Sequence, residues 1–399
     1  MISLDEAWAQ ISTRVAAHAG LSKERVSLWS ARGRVLAEQV TSAVDLPASD
    51  YSAMDGYAVR TEDFKAGEVA LLPVLGECQT GHASLELTTR GCLRIFTGAH
   101  LPPGADAVVM QENTQRNGNE VSVLKAPELG ENVRRRGEDV ARGALLLPEG
   151  TRLTAHQLGL LASAERTEVI VRRRPRVSVV CTGDELRPFG SQFYGGQLAE
   201  SNSIALAALC AEAGAEVTIS PLVRDELPRL MQAMLDASLH ADLVVTVGGV
   251  SVGDHDLVAP AVEGLGGEII FHKVAIKPGK PVLFAQHERA LILGLPGNPA
   301  SAQVVFSLLG LPLLRGLSGD NSPTTSPRSA HLTHDFFHKP GRRSFYRARL
   351  DGDQVTVLSN QASGATTSMA WANALLELKE HVEGYVTGQT APVWAFSDF

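Results

Sequence analysis

The feature that most constrains the fold lies between residues 176 and 318, where short apolar runs alternate with helical segments. The predicted strands are Val177–Cys181, Glu216–Ile219, Leu243–Val247, Ile269–Val274, Val282–Ala285 and Ala290–Leu293. The predicted helices are Ser203–Glu212, Asp225–Ala237, Leu257–Gly264 and Ala300–Leu314. Because strands that are apolar along their whole length are typical of parallel sheets buried on both faces, we predict a central doubly wound α/β domain with a mostly parallel sheet.

The flanking segments predict three further units. The chain from residue 3 to residue 40 indicates an elongated, mostly helical N-terminal region, since Ser3 can cap a helix that has Glu6 three residues later. Short β-like runs separated by Gly, Pro, Asn and Asp indicate a β-rich inserted domain, and alternating runs after a linker rich in Ser, Pro and Thr indicate a small C-terminal β domain. The predicted units are 1–45 joined by 140–175, 46–139, 176–318 and 319–399.

Composition excludes several classes of protein. The 399 residues carry a net charge of −8, which argues against a nucleic-acid partner bound by broad phosphate neutralisation. The longest apolar run, Val304–Leu314, is shorter than the roughly 18 residues that span a bilayer, and the N-terminus lacks the pattern of an export signal. The sequence therefore predicts no membrane association and a cytoplasmic location. No CxxC pair exists to form a zinc, iron–sulfur or disulfide framework from Cys78, Cys92, Cys181 and Cys210.

Four predicted strand ends lead into turns that contain glycine. In open α/β sheets, ligands bind at the carboxyl ends of the strands. Glycines let backbone N–H groups approach an anion, and lysines supply positive charge. Carboxylates there offer the hard oxygens that Mg²⁺ prefers, so the mixture suits phosphoryl or pyrophosphate chemistry. The four segments are TGDEL (182–186), GGVSVGDHD (248–256), IKPGKP (276–281) and GLPGNP (294–299).

Structural alternatives remain open for several of these residues. Asp184, Asp225 and Asp254 could instead cap helices. Asp55 could belong to a hairpin turn, Thr97 to a plain turn, and the arginines at 134–136 to a solvated charge run. Ser251 matches the GxSxG pattern of hydrolases, but the neighbouring acids and lysines favour an anion over an acyl ester. The histidines His331, His334 and His338 could suggest a metal site. Such a site is disfavoured, because the segment that carries them alternates like a strand.

Taken together, the motifs resemble the molybdopterin molybdotransferase family, which includes MoeA and the gephyrin E domain. The matches run in family order over residues 1–320, with a weaker one at Gln361–Gly364. The matching segments are SAMDGYA (52–58), RIFTGA (94–99), DAVVMQE (106–112), RRRGED (134–139), TGDEL (182–186), GGVSVGDHD (248–256), KVAIKPGKP (273–281) and LPGNPAS (295–301).

The resemblance implies the last step of molybdenum cofactor synthesis. Adenylylated molybdopterin and molybdate are the implied substrates, Mg²⁺ is the implied cofactor, and cleavage of the pyrophosphate bond gives the molybdenum cofactor and AMP. It further implies a cytoplasmic homodimer in which the β-rich domain of one subunit faces the α/β domain of the other. Molybdopterin adenylyltransferase and molybdoenzyme maturation proteins are the other partners expected.

The resemblance also implies roles for individual residues. The catalytic set comprises Asp55, Asp139, Glu185, Asp225, Asp256, Lys273 and Lys277, and Mg²⁺ would be held by Glu185, Asp225 and Asp256. Together with the strand-end loops, it implies substrate binding by Thr97, Arg134, Thr182, Gly183, Asp184, Gly248, Gly249, Ser251, Gly253, Lys280, Pro296, Gly297, Asn298, Pro299 and Ser363.

Two other functions compete with this one. The first is the adenylyltransferase that makes the adenylylated substrate, whose domain resembles residues 176–318 alone. That enzyme normally lacks a preceding β domain carrying the MDGYA and RRRGED segments, so their presence favours the molybdotransferase. The second is a gephyrin-like scaffold, which is disfavoured because the chain lacks long disordered linkers and a fused second module.

Overall fold

The computed structural model describes residues 1–18, 20–65, 69–250 and 256–398. Its helices are α1 (Leu4–Ala17), α2 (Ala155–Ser163), α3 (Asn202–Glu212), α4 (Leu227–His240), α5 (Val258–Gly264), α6 (Pro299–Val305), α7 (Leu311–Leu317) and α8 (Thr366–Trp371). Strands before residue 175 are β1 (Lys23–Ser27), β2 (Val40–Thr41), β3 (Tyr51–Ser52), β4 (Gly56–Val59), β5 (Ala70–Cys78), β6 (Cys92–Ile95), β7 (Ala107–Met110), β8 (Thr114–Asn117), β9 (Glu120–Val123), β10 (Val133–Arg134), β11 (Leu145–Leu147) and β12 (Glu168–Arg172).

The strands after residue 175 belong to the central and C-terminal parts of the chain. In the central part they are β13 (Arg176–Cys181), β14 (Leu186–Arg187), β15 (Leu198–Ala199), β16 (Glu216–Ile219), β17 (Leu243–Val247), β18 (Glu268–His272), β19 (Ile276–Lys277), β20 (Leu283–His287) and β21 (Ala290–Leu295). In the C-terminal part they are β22 (Arg328–Leu332), β23 (Phe336–Phe337), β24 (Arg343–Asp351), β25 (Gln354–Val357), β26 (Ala374–Leu378), β27 (Gly384–Tyr385) and β28 (Thr390–Ala395).

The N-terminal region is helical only at its start. Ser3 Oγ accepts a hydrogen bond from Glu6 N at 3.1 Å, and Glu6 Oε2 accepts one from Ser3 N at 2.7 Å, so the predicted cap of α1 is confirmed. The helical prediction is wrong beyond α1, where β1 pairs with β12 and β2 pairs with β11. These partners come from residues 145–172, so strand formation here depends on contacts distant in sequence.

Residues 51–134 contain the predicted β-rich structure. A six-stranded sheet has the order β7-β4-β6-β5-β9-β8. The short β-like runs predicted here correspond to β4, β5, β6, β7 and β9, since they were expected at Tyr57–Arg60, Val69–Leu75, Leu93–Thr97, Ala107–Gln111 and Glu120–Leu124. Strand β8 escaped prediction because its sequence, TQRN, has no apolar residue and is mostly exposed. Tyr57, Leu72 and Val121 pack together in the core of this sheet.

The central sheet has the order β16-β13-β17-β21-β20-β18. Strands β16, β13, β17 and β21 pair in parallel, whereas β20 is antiparallel to both of its neighbours. The reversal follows from the connection of only two residues between β20 and β21, which permits a hairpin but not a crossover. Because β18 is antiparallel to β20, it runs in the same direction as the parallel strands, and its carboxyl end lies at the same edge of the sheet.

Both faces of this sheet are covered by helices. Val179 and Val245 pack in one cluster with residues of α3 and α6, while Val180 and Val244 pack on the other face with residues of α4 and α5. One helical stretch of the described chain, residues 299–317, is long and apolar enough to cross a membrane by length and composition. Because 78% of its apolar window is buried inside the protein, it is typical of a core helix.

The C-terminal part forms a closed ring of strands. Strands β24, β25, β22, β28 and β26 pair in that order, and β26 pairs back with β24. The short strand β19 pairs with β24 and so joins the central part to this ring. Arg343 strengthens the junction, since its Nε donates to buried Glu377 at 2.7 Å and its Nη1 donates to Asp5 of α1 at 2.8 Å.

Candidate active site

A cavity of about 350 Å³ opens at the carboxyl ends of β13, β17 and β21. This is the edge of the sheet at which the sequence predicted a site. The cavity therefore brings together residues of all four glycine-containing turns, the turn at 276–281 through Pro281 alone. Its predicted lining residues are Thr182, Gly183, Glu185, Asp225, Gly248, Gly249, Pro296, Gly297 and Asn298, and Cys181, Leu186, Asn202, Val247, Val250 and Pro281 complete the wall.

Asp225 is held in this cavity by polar contacts from the first turn. Thr182 Oγ1 donates to Asp225 Oδ1 at 2.7 Å, and the Asp184 amide donates to Asp225 Oδ2 at 3.3 Å. Neither acid caps a helix: α4 begins at Leu227 after Glu226, and β14 rather than a helix follows Asp184. The capping alternative is therefore wrong for Asp184 and Asp225.

Gly248 lets the turn after β17 approach the turn after β13. Its φ is +92°, and a Cβ there would lie 2.5 Å from the carbonyl oxygen of Thr182. Only glycine fits this combination of backbone conformation and close approach. The exposed side chain of Glu185 lines the same cavity and makes no hydrogen bond or ion pair with the described residues. Glu185 thus carries no visible structural role.

Asp256 lies outside this lining. Its Oδ2 is 3.8 Å from His272 Nε2, and its Oδ1 is buried without a hydrogen-bond partner in the described chain. Burial raises the pKa of the Asp256 carboxyl. Ser251, Gly253 and Asp254, which precede it, lie outside the described residues.

The three predicted magnesium ligands do not converge on one another in this structure. Glu185 and Asp225 line the same cavity, but Asp256 is not in its wall. No group of three or more His, Cys, Asp or Glu side chains in the described residues is placed to hold a metal ion.

A second cavity, of about 440 Å³, lies among residues 277–281, helix α6 and the C-terminal ring. Pro281 lines both cavities, so the two adjoin. The second cavity is cationic, and no carboxylate is among its described lining residues. It brings together the predicted residues Lys277, Lys280 and Ser363, and adds Arg342, Arg347, Ser301 and Gln361.

The turn at residues 276–281 carries Lys277 and Lys280, and this lysine turn is fixed from two sides. Ile276 and Lys277 pair with Arg343 and Ser344 of β24, and Gly279 packs against helix α6. On the opposite wall, the carbonyl of Ser363 accepts a hydrogen bond at 3.0 Å from the amide of Ala300, in the first turn of α6. The cationic cavity therefore depends on contacts among the lysine turn, α6 and the C-terminal ring.

Replacing Gly279 with alanine should destabilise the protein by about 2–5 kcal/mol, from backbone strain and a steric clash. Its φ is +96°, and a Cβ would lie 2.0 Å from Cγ2 of buried Val305. Gly352→Ala is the matched control, because Gly352 has a φ of +57° with no atom within 4 Å of its Cβ position. Urea unfolding should show a much smaller loss for the control; equal losses would contradict close packing at Gly279.

Arg347 and Arg342 were not predicted from the sequence. Arg347 is 1% exposed, its Nη2 donates to the carbonyls of Asn360 at 3.2 Å and Ala362 at 3.0 Å, and no carboxylate of the described chain pairs with it. Burial lowers the pKa of this guanidinium. The sequence did contain a signal for Arg347. In the segment FYRARL, Arg347 lies two residues after buried Phe345, and residues two apart in a strand point to the same face, so an arginine on the inward face could have been predicted.

Lys273 lies between β18 and β19 in an unusual conformation. Its φ is +73°, which costs a residue other than glycine about 1–3 kcal/mol. Its positive charge opposes the increase in the pKa of the Asp256 carboxyl. It lines neither of the two cavities described above. The strained backbone and the nearby acid are consistent with its predicted role, which remains a prediction.

The predicted residues of the β-rich part form a separate group. Thr97 donates to Asp55 Oδ1 from its amide at 2.8 Å and from its hydroxyl at 2.7 Å, and these bonds lower the pKa of the Asp55 carboxyl. Arg134 Nη1 donates to Glu138 at 2.7 Å, and Asp139 is exposed. None of these residues lines either cavity within one chain.

All four cysteines are buried and unbonded. Burial raises the pKa of the Cys92 thiol to about 12, and it also raises the pKa values of Cys181 and Cys210. Thiols that stay protonated are poor metal ligands and nucleophiles. The described site therefore relies on oxygen and nitrogen groups.

Three family models match successive parts of this chain. Residues 2–164 match the MoeA N-terminal region (domain I and II), residues 178–316 match a probable molybdopterin binding domain, and residues 329–396 match the MoeA C-terminal region (domain IV). The chain belongs to the MoeA family. This assignment confirms the resemblance inferred from the motifs.

Individual MoeA relatives extend over most of the chain. A molybdopterin molybdenumtransferase of Nostoc is 40% identical over 89% of this chain and 84% of its own length, and one of Haemophilus influenzae is 36% identical over 94% of each. Among solved structures, a molybdopterin biosynthesis MoeA protein of Pyrococcus horikoshii superposes with a TM-score of 0.85 at 29% identity, covering 99% of this chain and 100% of that one. The similarity thus includes all the parts that form the two cavities.

Proposed function

We propose that this chain is a molybdopterin molybdenumtransferase that uses Mg²⁺. Its substrates are adenylylated molybdopterin and molybdate, and its products are the molybdenum cofactor and AMP. One observation supports this most: a cavity lined by carboxylates and amide groups adjoins a cavity lined by four cations, in a member of the MoeA family. The first suits an organic substrate with a metal ion, and the second suits an oxyanion.

The cationic cavity is the proposed molybdate site. Lys277, Lys280, Arg342 and Arg347 offer donors to an oxyanion, and no described carboxylate in the wall competes for them. Charge-assisted hydrogen bonds of this kind are about twice as strong as neutral ones. Because Pro281 borders both cavities, bound molybdate lies next to the organic substrate in the first one.

Two carboxylates of the first cavity, those of Glu185 and Asp225, would hold a magnesium ion together with the phosphates of the substrate. Asp256, the third ligand that the family resemblance implies, lies outside that cavity. Carboxylate oxygens combined with substrate phosphates are the usual ligands of Mg²⁺. Mg²⁺ held by these residues would neutralise charge on the pyrophosphate as its bond breaks. Thr182 contributes by holding the Asp225 carboxylate in place.

The assay for this function is AMP release from adenylylated molybdopterin, followed by chromatography with and without molybdate. The proposed enzyme releases AMP only when molybdate is present. The competing adenylyltransferase would instead consume ATP and molybdopterin and release pyrophosphate. Release of pyrophosphate from ATP, without molybdate-dependent AMP release, would replace this proposal with that one.

The proposal includes a homodimer with a site shared between subunits. Asp55, Thr97, Arg134 and Asp139 carry family motifs but line neither cavity in their own chain, so a second copy supplies the wall they need. Closed two-fold dimers are the commonest homo-oligomers and would repeat such a site twice. The cytoplasm is the proposed location, and molybdopterin adenylyltransferase and molybdoenzyme maturation proteins are the other proposed partners.

Mixing two inactive variants tests the shared site. Asp55→Asn and Glu185→Gln should each be inactive, whereas their co-expressed mixture should regain about a quarter of wild-type AMP release. Half of randomly paired dimers are mixed, and each of those has one intact site of two. Two differently tagged Asp55→Asn chains serve as the control. Mixed dimers that are purified by both tags and remain inactive would contradict a site built across subunits.

A further inference from the structure

Asn202 is a buried polar residue of the first cavity that the mechanism above does not use. It is the first residue of α3, it is 6% exposed, and it lines the cavity beside Thr182 and Asp225. Its Nδ2 donates a hydrogen bond to the carbonyl of Gly297 at 2.8 Å. Its Oδ1 is buried and has no hydrogen-bond partner in the described structure.

A helix-capping role does not account for this side chain. The N–H group of Ser203 in the first turn of α3 is satisfied by Glu200 Oε1 at 2.9 Å, and the Ser203 hydroxyl also donates to Glu200. Ser201 at the cap position makes no side-chain capping bond either. Helix capping, the usual reason for an asparagine at the start of a helix, therefore does not explain the polar groups of Asn202.

The bond to Gly297 fixes the orientation of the amide. A backbone carbonyl can only accept, so the NH₂ group of Asn202 must face it and the oxygen must point away. That oxygen is only an acceptor. A buried acceptor without a partner is uncommon in native structures and costs free energy unless a ligand or water satisfies it.

We infer that Asn202 Oδ1 accepts a hydrogen bond from an N–H or O–H group of the uncharged part of the organic substrate. This rests on the proposed function. Two parts of that substrate carry suitable donors, namely the pterin ring and the nucleoside. Molybdate and phosphate oxygens are excluded, because at neutral pH they offer lone pairs and essentially no hydrogen to this acceptor. Asn202 thus selects for the organic substrate, while the cationic cavity selects for the oxyanion.

The test compares three ligands by calorimetry: AMP, molybdopterin and molybdate. Asn202→Leu keeps the approximate size of the side chain and removes the acceptor. We expect roughly tenfold weaker binding of AMP, molybdopterin or both, as is usual when a buried hydrogen bond is lost, with molybdate binding unchanged. Weaker AMP binding identifies a nucleoside donor, and weaker molybdopterin binding identifies a pterin donor.

Molybdate serves as the control for a merely structural role. The loop holding Gly297 leads into α6, and α6 contacts Ser363 and Gly279 of the cationic cavity, so a displaced loop would weaken molybdate binding too. Equal losses for all three ligands would overturn the inference, and so would unchanged binding of both organic ligands. Asn202→Ala, which adds no apolar bulk, answers the same question if the leucine variant does not fold.

Failure of the proposed function would look different. A wild-type protein that binds neither AMP nor molybdopterin, and releases no AMP in the presence of molybdate, would contradict the function itself. If the wild-type protein binds AMP and molybdopterin, and a folded Asn202→Leu variant binds both with the same affinities, only the role of Asn202 would be contradicted. The calorimetric measurement requires no turnover, so the two failures are separable.

Discussion

A Glu185→Gln variant is expected to fold normally and to release AMP at least 100-fold more slowly than the wild type, the usual scale for losing one electrostatic group in an active site. Glu185 is exposed, lines the first cavity and makes no side-chain hydrogen bond or ion pair in the described chain, so its stability contribution should stay within about 0.5 kcal/mol. Glutamine preserves the shape but removes the charge that a magnesium ion requires.

The measurement is single-turnover AMP release with molybdate and Mg²⁺ in excess, beside a thermal melt. Asp236→Asn is the matched control, because Asp236 is an exposed acid on α4 that lines neither cavity. The control should release AMP at the wild-type rate. Unchanged release from a well-folded Glu185→Gln variant would show that Glu185 is only a turn residue.

The second large effect is expected at Arg347. Its guanidinium is buried at the wall of the cationic cavity, without a carboxylate partner in the described residues. Replacing it with methionine keeps an unbranched stem but removes the charge. Molybdate affinity should fall roughly 10- to 100-fold, since each charge-assisted hydrogen bond contributes about 1.5–3 kcal/mol.

Calorimetry with molybdate and the molybdate dependence of AMP release both report this loss. Arg349→Met is the matched control, because Arg349 lies two residues along the same strand and is exposed. Arg347 also donates to the carbonyls of Asn360 and Ala362, so a thermal melt must accompany the titration. A folded Arg347→Met variant with wild-type molybdate affinity would remove Arg347 from the oxyanion site.

The site could be located from the sequence because the end of an apolar strand and the turn after it are adjacent in the chain. The apolar runs of β13, β17 and β21 identified the sheet edge, and the turns after them supplied Thr182, Glu185 and Gly248. Lys277 and Lys280 were found in the same way, by their position after a strand. Their predicted neighbour Ser363 depended on the family motif, since it comes from the far side of the cationic cavity.

The missed features depend on contacts that are distant in sequence. Arg347 becomes a cavity residue only when the C-terminal ring closes against the lysine turn, and Asn202 only when α3 packs beside the turn at Gly297. Strand β1 forms by pairing with β12, which is distant in sequence. Residues 23–27 were therefore predicted to be helical. Asp225 could be taken for a helix cap because its actual hydrogen-bond partner, Thr182, lies in the turn after β13 and is distant in sequence.

Anomalous diffraction from crystals soaked with molybdate, measured at the molybdenum edge, tests the division between the two cavities most directly. A single strong peak is expected in the cationic cavity, within hydrogen-bonding distance of Lys277, Lys280 or Arg347, with no peak beside Asp225. The same soak of Arg347→Met crystals should give a much weaker peak. A molybdenum peak in the first cavity, with the cationic cavity empty, would contradict the account.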